Sequence, residues 1–277
     1  MAGTFKMSLW LGSTPGWADL DHPENATIMN FPLLVFALSL VILLLAVVIG
    51  DFLRGKIHTL NDVERDDFGV AQNATLTLLA LLIGFSFSMA ISRYDQRKNY
   101  EEAEANAIGT EYVRADLLPA RDSVKVRDLL RKYLDQRILF YETRSRAHVA
   151  QIEAETLKLQ NELWTAIKPA AAADPNCVLA LVVSGMNDVL NSQGYTQAAW
   201  WNRIPVAAWG LMAAISISSN LLIGYGAHGR DWRTLLIVPI IVSIAFLLIA
   251  DLDSPHGGAI RVMPQNLISL SQSLSSQ

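Results

Sequence analysis

The chain has a single cysteine, Cys177, which excludes an internal disulfide and any metal knuckle built from cysteines. It lacks a phosphate-cradling glycine loop, a Gly-x-Ser-x-Gly elbow, a His-Glu-x-x-His pair and a dinucleotide-binding turn. The five histidines are scattered. The expectation is no enzyme, no cofactor and no bound metal. Charge is also scarce, at 17% of residues, which suits a membrane protein carrying a water-facing part. The net charge of −4 is too small to support a nucleic-acid partner. No strand alternation appears. Between Gln72 and Leu118 there is no proline, and glycine occurs only as Gly84 and Gly109, so little in that stretch would break a helix.

What the chain does have is four long apolar runs: Phe31–Gly50, Ala74–Ser92, Ile204–Gly224 and Leu235–Ala250. A bilayer core of about 30 Å is crossed by about 20 helical residues. The fourth run is short and would complete its span with Trp232 and Thr234. The fold class follows: all-α, with four transmembrane helices and a helical, water-facing domain inserted between the second and third. The expected segments are 1–30, interfacial; 31–92, the first two spans; 93–200, the helical domain; 201–250, the last two spans; and 251–277, a tail. The first run is too long for the core of a signal peptide and is read as retained. Lysine and arginine near the span ends are equal in number on the two faces, so they do not orient the chain.

The link 51–71 reads as a short loop with Asp62, Glu64, Asp66 and Asp67 at its end, a solvated turn rather than a cation site because no ligand spacing is present. The second span continues into the helix-rich run ISRYDQRKNYEEAEANAIGTEYVRADLL, so one helix passes from the bilayer into water until Pro119. From Arg121 to Ile167, apolar residues at helical spacing (Val126, Leu130, Tyr133, Phe140, Val149, Ile152, Leu159, Leu163) predict one amphipathic helix that Pro169 ends. Asp174 with Pro175 then opens another helix, and Gly194 stops it. Trp200, Trp201 and Arg203 mark re-entry into the membrane. Pro239 should bend the fourth span. Asp251 and Asp253 read as an interfacial cap of that span, with an acid dyad as the lesser alternative.

The richest candidate site is on the second span. Thr77, Leu81, Gly84, Ser88, Ser92 and Asp95 fall near one helical face, flanked by Phe85 and Phe87. Small and hydroxyl residues on such a face serve helix packing most often. They can instead line a water-filled path with an apolar constriction. Continuation of the helix into water favours the path. Beyond it, Glu102, Glu104, Asn106, Gly109, Thr110, Glu111 and Arg114 are candidates for a vestibule lining or for contact between subunits. Glu104, Glu111 and Arg114 can share a face. The bland alternative is a solvated face with weak ion pairs.

The segments GFSFSMAISRYDQRKN (84–99), EAEANAIGTEYVRADLLP (102–119), LLRKYLDQR (129–137) and DLDSPHGGAIRV (251–262) resemble the bestrophin-like family of bacterial membrane proteins of unknown function. The likeness runs over nearly the whole chain. It implies four spans in the bacterial inner (plasma) membrane, with both termini and 93–200 cytoplasmic. The family's remote likeness to bestrophins implies a homo-oligomer, a pentamer by analogy, that passes inorganic ions. Its second span would line the pore, and Phe85 or a neighbour would form the neck. Two bestrophin features are missing: the Arg-Phe-Pro-Thr run and an acidic calcium clasp. The resemblance points to anions, whereas the acidic balance of 102–116 points to cations. The competing expectation is a non-conducting scaffold or sensor whose water-facing helices bind a partner, with the apolar stripe of Val126–Leu163 exposed for it.

Overall fold

The computed structural model describes residues 31–56, 62–173, 176–227, 232–255 and 257–276. The 1–30 segment, Asp174 and Pro175 lie outside them. The regular structure among the described residues is all helical, with no strand. Four helical stretches are long and apolar enough to cross a membrane, and the chain is a membrane protein. In order, the helices are α1 (Pro32–Lys56), α2 (Asp62–Arg114, closing in a 3-10 turn at Ala115–Leu117), α3 (Ala120–Glu142), α4 (Arg146–Ala173), α5 (Cys177–Trp201), α6 (Val206–Tyr225), α7 (Trp232–Leu235), α8 (Ile237–Asp253) and α9 (Gln265–Ser275).

In the apolar part, α6 and α8 pack against the first half of α2, and α1 packs against α6 and α8. Two glycines set how closely α1 approaches α6. A Cβ on Gly50 would overlap the Leu221 carbonyl oxygen, and one on Gly224 would overlap the Val47 carbonyl oxygen. Small residues of this kind let membrane helices touch backbone to backbone, where dispersion replaces the missing hydrophobic drive. Leu43, Leu79, Ala90, Met212, Val242, Phe246 and Ile249 fill the centre.

The 53 residues of α2 make a rod of about 80 Å, more than twice the bilayer core. Its charged second half therefore projects into water. There it packs against α5, α3 and α9 around a second core built on Ile108, Tyr112, Leu130, Tyr133, Leu163 and Met186.

Several sequence expectations are corrected. The link between the first two spans is shorter than a 51–71 loop, because α1 runs to Lys56 and α2 begins at Asp62. Glu64, Asp66 and Asp67 thus fall in the first two turns of α2 rather than in a loop. The expected single helix over Arg121–Ile167 is two helices, broken at Thr143, whose backbone is extended. A helical hairpin buries both apolar stripes against each other, with Val126, Leu130 and Tyr133 facing Leu159 and Leu163, which one straight helix cannot do. Pro169 does not end α4, which continues to Ala173. Proline removes only its own bond back to the turn at Thr165, and burial of Ile167 and Ala170 holds the last turn in place.

Asn176 caps α5, its side chain accepting from Leu179 N at 2.8 Å. Gly194 does not stop that helix. Burial of Gln193, Thr196 and Ala199 on either side offsets the cost of an interior glycine, about 1 kcal/mol. Trp200 is buried against Phe140 and Tyr141, with ring centroids 4.9 and 5.5 Å away, while Trp201 alone is exposed. Pro239 lacks an N–H for Leu235, and the helix breaks there into α7 and α8.

Candidate functional site

A helix turns 100° per residue, so residues three and four apart stay in line. On α2, Leu79, Ser86, Ala90, Arg97, Glu101, Glu104, Ile108, Glu111 and Ala115 form such a line and are all buried against the rest of the chain. The opposite line holds Thr77, Leu81, Gly84, Ser88, Ser92, Asp95, Asn99, Glu102, Asn106, Thr110 and Val113, and every one of these is exposed. Phe85 lies on its edge, 61% exposed. The sequence-derived candidates Thr77 to Asp95 are thus brought onto one uncovered stripe, and Glu102, Asn106 and Thr110 extend it. Asn99 belongs to it as well. Sequence reading missed Asn99 because it falls between the apolar span and the acidic motif, although its spacing was there to be read. The ionisable groups on the stripe are Asp95 and Glu102, both acidic. Lys98 and Arg114 sit off the line by about 80° on either flank.

The other candidates of the acidic motif turn inward. Glu104 and Glu111 are buried inside the subunit at 0% exposure. The expectation that they line a vestibule or touch a neighbouring subunit is therefore corrected. Glu104 accepts from Arg137 Nε at 2.5 Å, Tyr141 Oη at 3.3 Å and Thr196 Oγ1 at 3.3 Å. Burial pulls the Arg137 guanidinium down, but Glu104 and the two neighbouring tyrosines outweigh it and leave it raised. Burial first and Glu104 second push the hydroxyls of Tyr133 and Tyr141 up, so both stay neutral. Glu111 lies against Gly185 of α5, where it and Arg114 occupy the space a Cβ would need. Arg114 also donates to the Leu181 carbonyl at 3.4 Å. Gly109 admits Leu270 of α9, which stands 3.0 Å from where a Cβ would be.

Two buried groups at the foot of the spans also escaped the sequence. Glu101 caps α9, accepting from the backbone N–H groups of Asn266 at 2.9 Å and Leu267 at 3.0 Å and from Asn266 Nδ2 at 2.6 Å. Arg97, 2% exposed, donates to the carbonyls of Leu252 at 3.0 Å and Ala199 at 3.3 Å, and to those of Asn202 and Asp253 at 3.4 Å. It ties α2 to the ends of α5 and α8 at once. Its sequence signal was an arginine on the seam line of α2. Arg137 had the same kind of signal, a charge between Tyr133 and Phe140 on an apolar stripe.

Asp251 and Asp253 do not form a dyad. Asp251 accepts from Ala259 N and Ile260 N, both at 2.7 Å, and Asp253 accepts from Ile204 N at 3.0 Å. No group of histidine, cysteine or carboxylate side chains among the described residues is placed to hold a metal ion.

No curated protein matches the sequence. Solved structures share the fold. A leucine-to-threonine variant of a bacterial bestrophin homolog from Klebsiella pneumoniae matches with a TM-score of 0.60 at 15% identity, over 89% of this chain and 99% of that one. A tryptophan-to-alanine variant of the same homolog matches with a TM-score of 0.58 at 15% identity, over 86% and 97%. A further structure of that homolog matches with a TM-score of 0.58 at 15% identity, over 87% and 98%. The family model of the Bestrophin-like domain fits residues 31–267. With that match across both the spans and the water-facing helices, the chain belongs to the bestrophin-like family.

Proposed function

We propose that this protein is an oligomeric ion channel of the bacterial inner membrane whose α2 helices line the pore, with 93–200 and both termini cytoplasmic. The observation that carries the reading is the uncovered stripe of α2, which lies opposite the seam that packs within the chain and runs unbroken from Thr77 to Val113. Cyclic closure of several copies around an axis turns one such stripe per chain into a continuous lining. Phe85 on the stripe's edge then forms an apolar neck, and Asn99, Asn106 and Thr110 supply polar contacts below it. A pentamer follows the bestrophin analogy.

Asp95 and Glu102 would repeat around the axis as two acidic rings with no basic residue on the same line. Rings of this sign favour cations. The bestrophin analogy favours anions, and the charges actually carried by the stripe decide us for cations.

The scaffold reading needed an apolar stripe left open on the Val126–Leu163 segment. That stripe is covered by the chain's own α3–α4 hairpin, which removes its motivation.

The test is the reversal potential of the purified oligomer in planar bilayers under a salt gradient. A stable reversal on the cation side supports the proposal. An anion-side reversal removes the acidic-ring assignment. Silence from an intact oligomer across lipids, pH and calcium concentrations rejects conduction.

A further inference from the structure

Glu111 is a buried carboxylate that stands beside the Arg114 guanidinium but makes no hydrogen bond to it. It is fully buried, and neither Oε1 nor Oε2 has a hydrogen-bond partner. It sits where α2 crosses α5, and the contact is close because residue 185 has no side chain. The charged groups on the elements packed here are few. Its own helix brings Arg114, whose Nη1 shares the space over Gly185 and points to the Leu181 carbonyl. Helix α5 brings Asp188, and the 3-10 turn brings Asp116, which is paired with Arg127. A buried carboxylate without a hydrogen-bond partner is costly when ionised and tolerable when protonated.

We propose that Glu111 is a proton-operated catch between α2 and α5: protonated, it lets the two helices close on each other at Gly185, and ionised, it drives them apart. This rests on the pore reading above for its consequence. The stripe residues Thr110 and Val113 are carried on the same turns of α2, so parting α2 from α5 changes the inner mouth of the pore.

The direction of the response follows from linkage. Burial raises the Glu111 carboxyl to about 8, opposed by Arg114 and assisted by Asp188. When the helices part and water reaches the group, it returns to the ordinary carboxylate range, about 4.3. Between these values the closed arrangement holds a proton that the open one has lost. Closure is therefore at full strength in acid and weakens steadily as pH rises toward 8. Above 8 both arrangements are ionised and the dependence flattens.

The test compares the full-length oligomer with Glu111→Gln, which keeps the shape and cannot ionise. Hydrogen exchange of the α5 amides at 181–189 is followed in both proteins at each pH, which cancels the intrinsic base catalysis of exchange. Between pH 6 and 8.5 the ratio of wild-type to variant exchange rates should climb by about fifty- to hundredfold. A second variant, Asp188→Asn, removes an acid-raising neighbour and should move the climb to lower pH. A ratio that stays flat overturns the catch. Conduction is read separately. If the wild type passes no current, the pore reading falls, while the exchange ratio still judges Glu111.

Discussion

The carboxylate of Glu104 on α2 accepts from Arg137 Nε on α3 at 2.5 Å, and neither side chain is more than 1% exposed. The pair joins the pore-candidate helix to the hairpin behind it. Tyr141 and Thr196 complete the carboxylate's shell, so three helices meet at one buried charge.

Removing one member should be far worse than removing both. Arg137→Leu leaves Glu104 uncompensated and should cost about 3–5 kcal/mol. The double variant Glu104→Leu with Arg137→Leu, set beside each single variant and the wild type, should recover most of that loss. Thermal unfolding of the four proteins of this cycle in detergent gives the coupling directly. A double variant no better than the single one would mean that the Tyr141 and Thr196 bonds, rather than the charge, dominate.

Glu101 should control whether the C-terminal helix stays docked. Its oxygens satisfy two N–H groups at the start of α9, a capping role worth about 1–2 kcal/mol. Glu101→Ala should raise proteolysis and amide exchange over 265–275 while leaving the spans protected. Unchanged protection of α9 would show that Leu267 and Leu274 hold it alone.

The approach of α1 to α6 predicts two intolerant glycines and one tolerant one. Gly50→Val and Gly224→Val would each force a side chain into a facing carbonyl, and both should abolish recovery of folded protein. At Gly55 a methyl group would meet nothing within 4 Å, so Gly55→Ala should express and assemble as the wild type does. Size-exclusion profiles of the three variants decide the matter.

Selectivity should follow the acidic rings. Asp95→Asn with Glu102→Gln is expected to move the reversal potential toward zero, and Glu102→Lys to move it to the anion side. Phe85→Ala, at a largely exposed position, should raise single-channel conductance with little loss of thermal stability. Currents identical to wild type in all of these variants would remove α2 from the pore lining.

The sequence by itself determined the membrane class, because four apolar runs of spanning length allow no other burial. It determined the long α2, since an unbroken run of helix formers leaves the backbone no reason to stop. It also placed Thr77 to Asp95 on one face, because helical periodicity is a local property. Tertiary structure decided which face of α2 is covered, since that depends on where α5, α6 and α8 come to lie. It decided that the stripe from Val126 to Leu163 folds back on itself, because two half-length helices can bury an apolar surface that one long helix exposes. It carried α5 through Gly194 and α4 through Pro169, where packing on both sides outweighs local propensity. It also assigned the acidic motif: Glu101 to a helix end, Glu104 to a buried arginine, Glu111 to a glycine notch and Glu102 to the open side. Residues one or three positions apart on a helix look alike in sequence. Only the neighbours that approach from elsewhere in the chain distinguish a solvated carboxylate from a buried one.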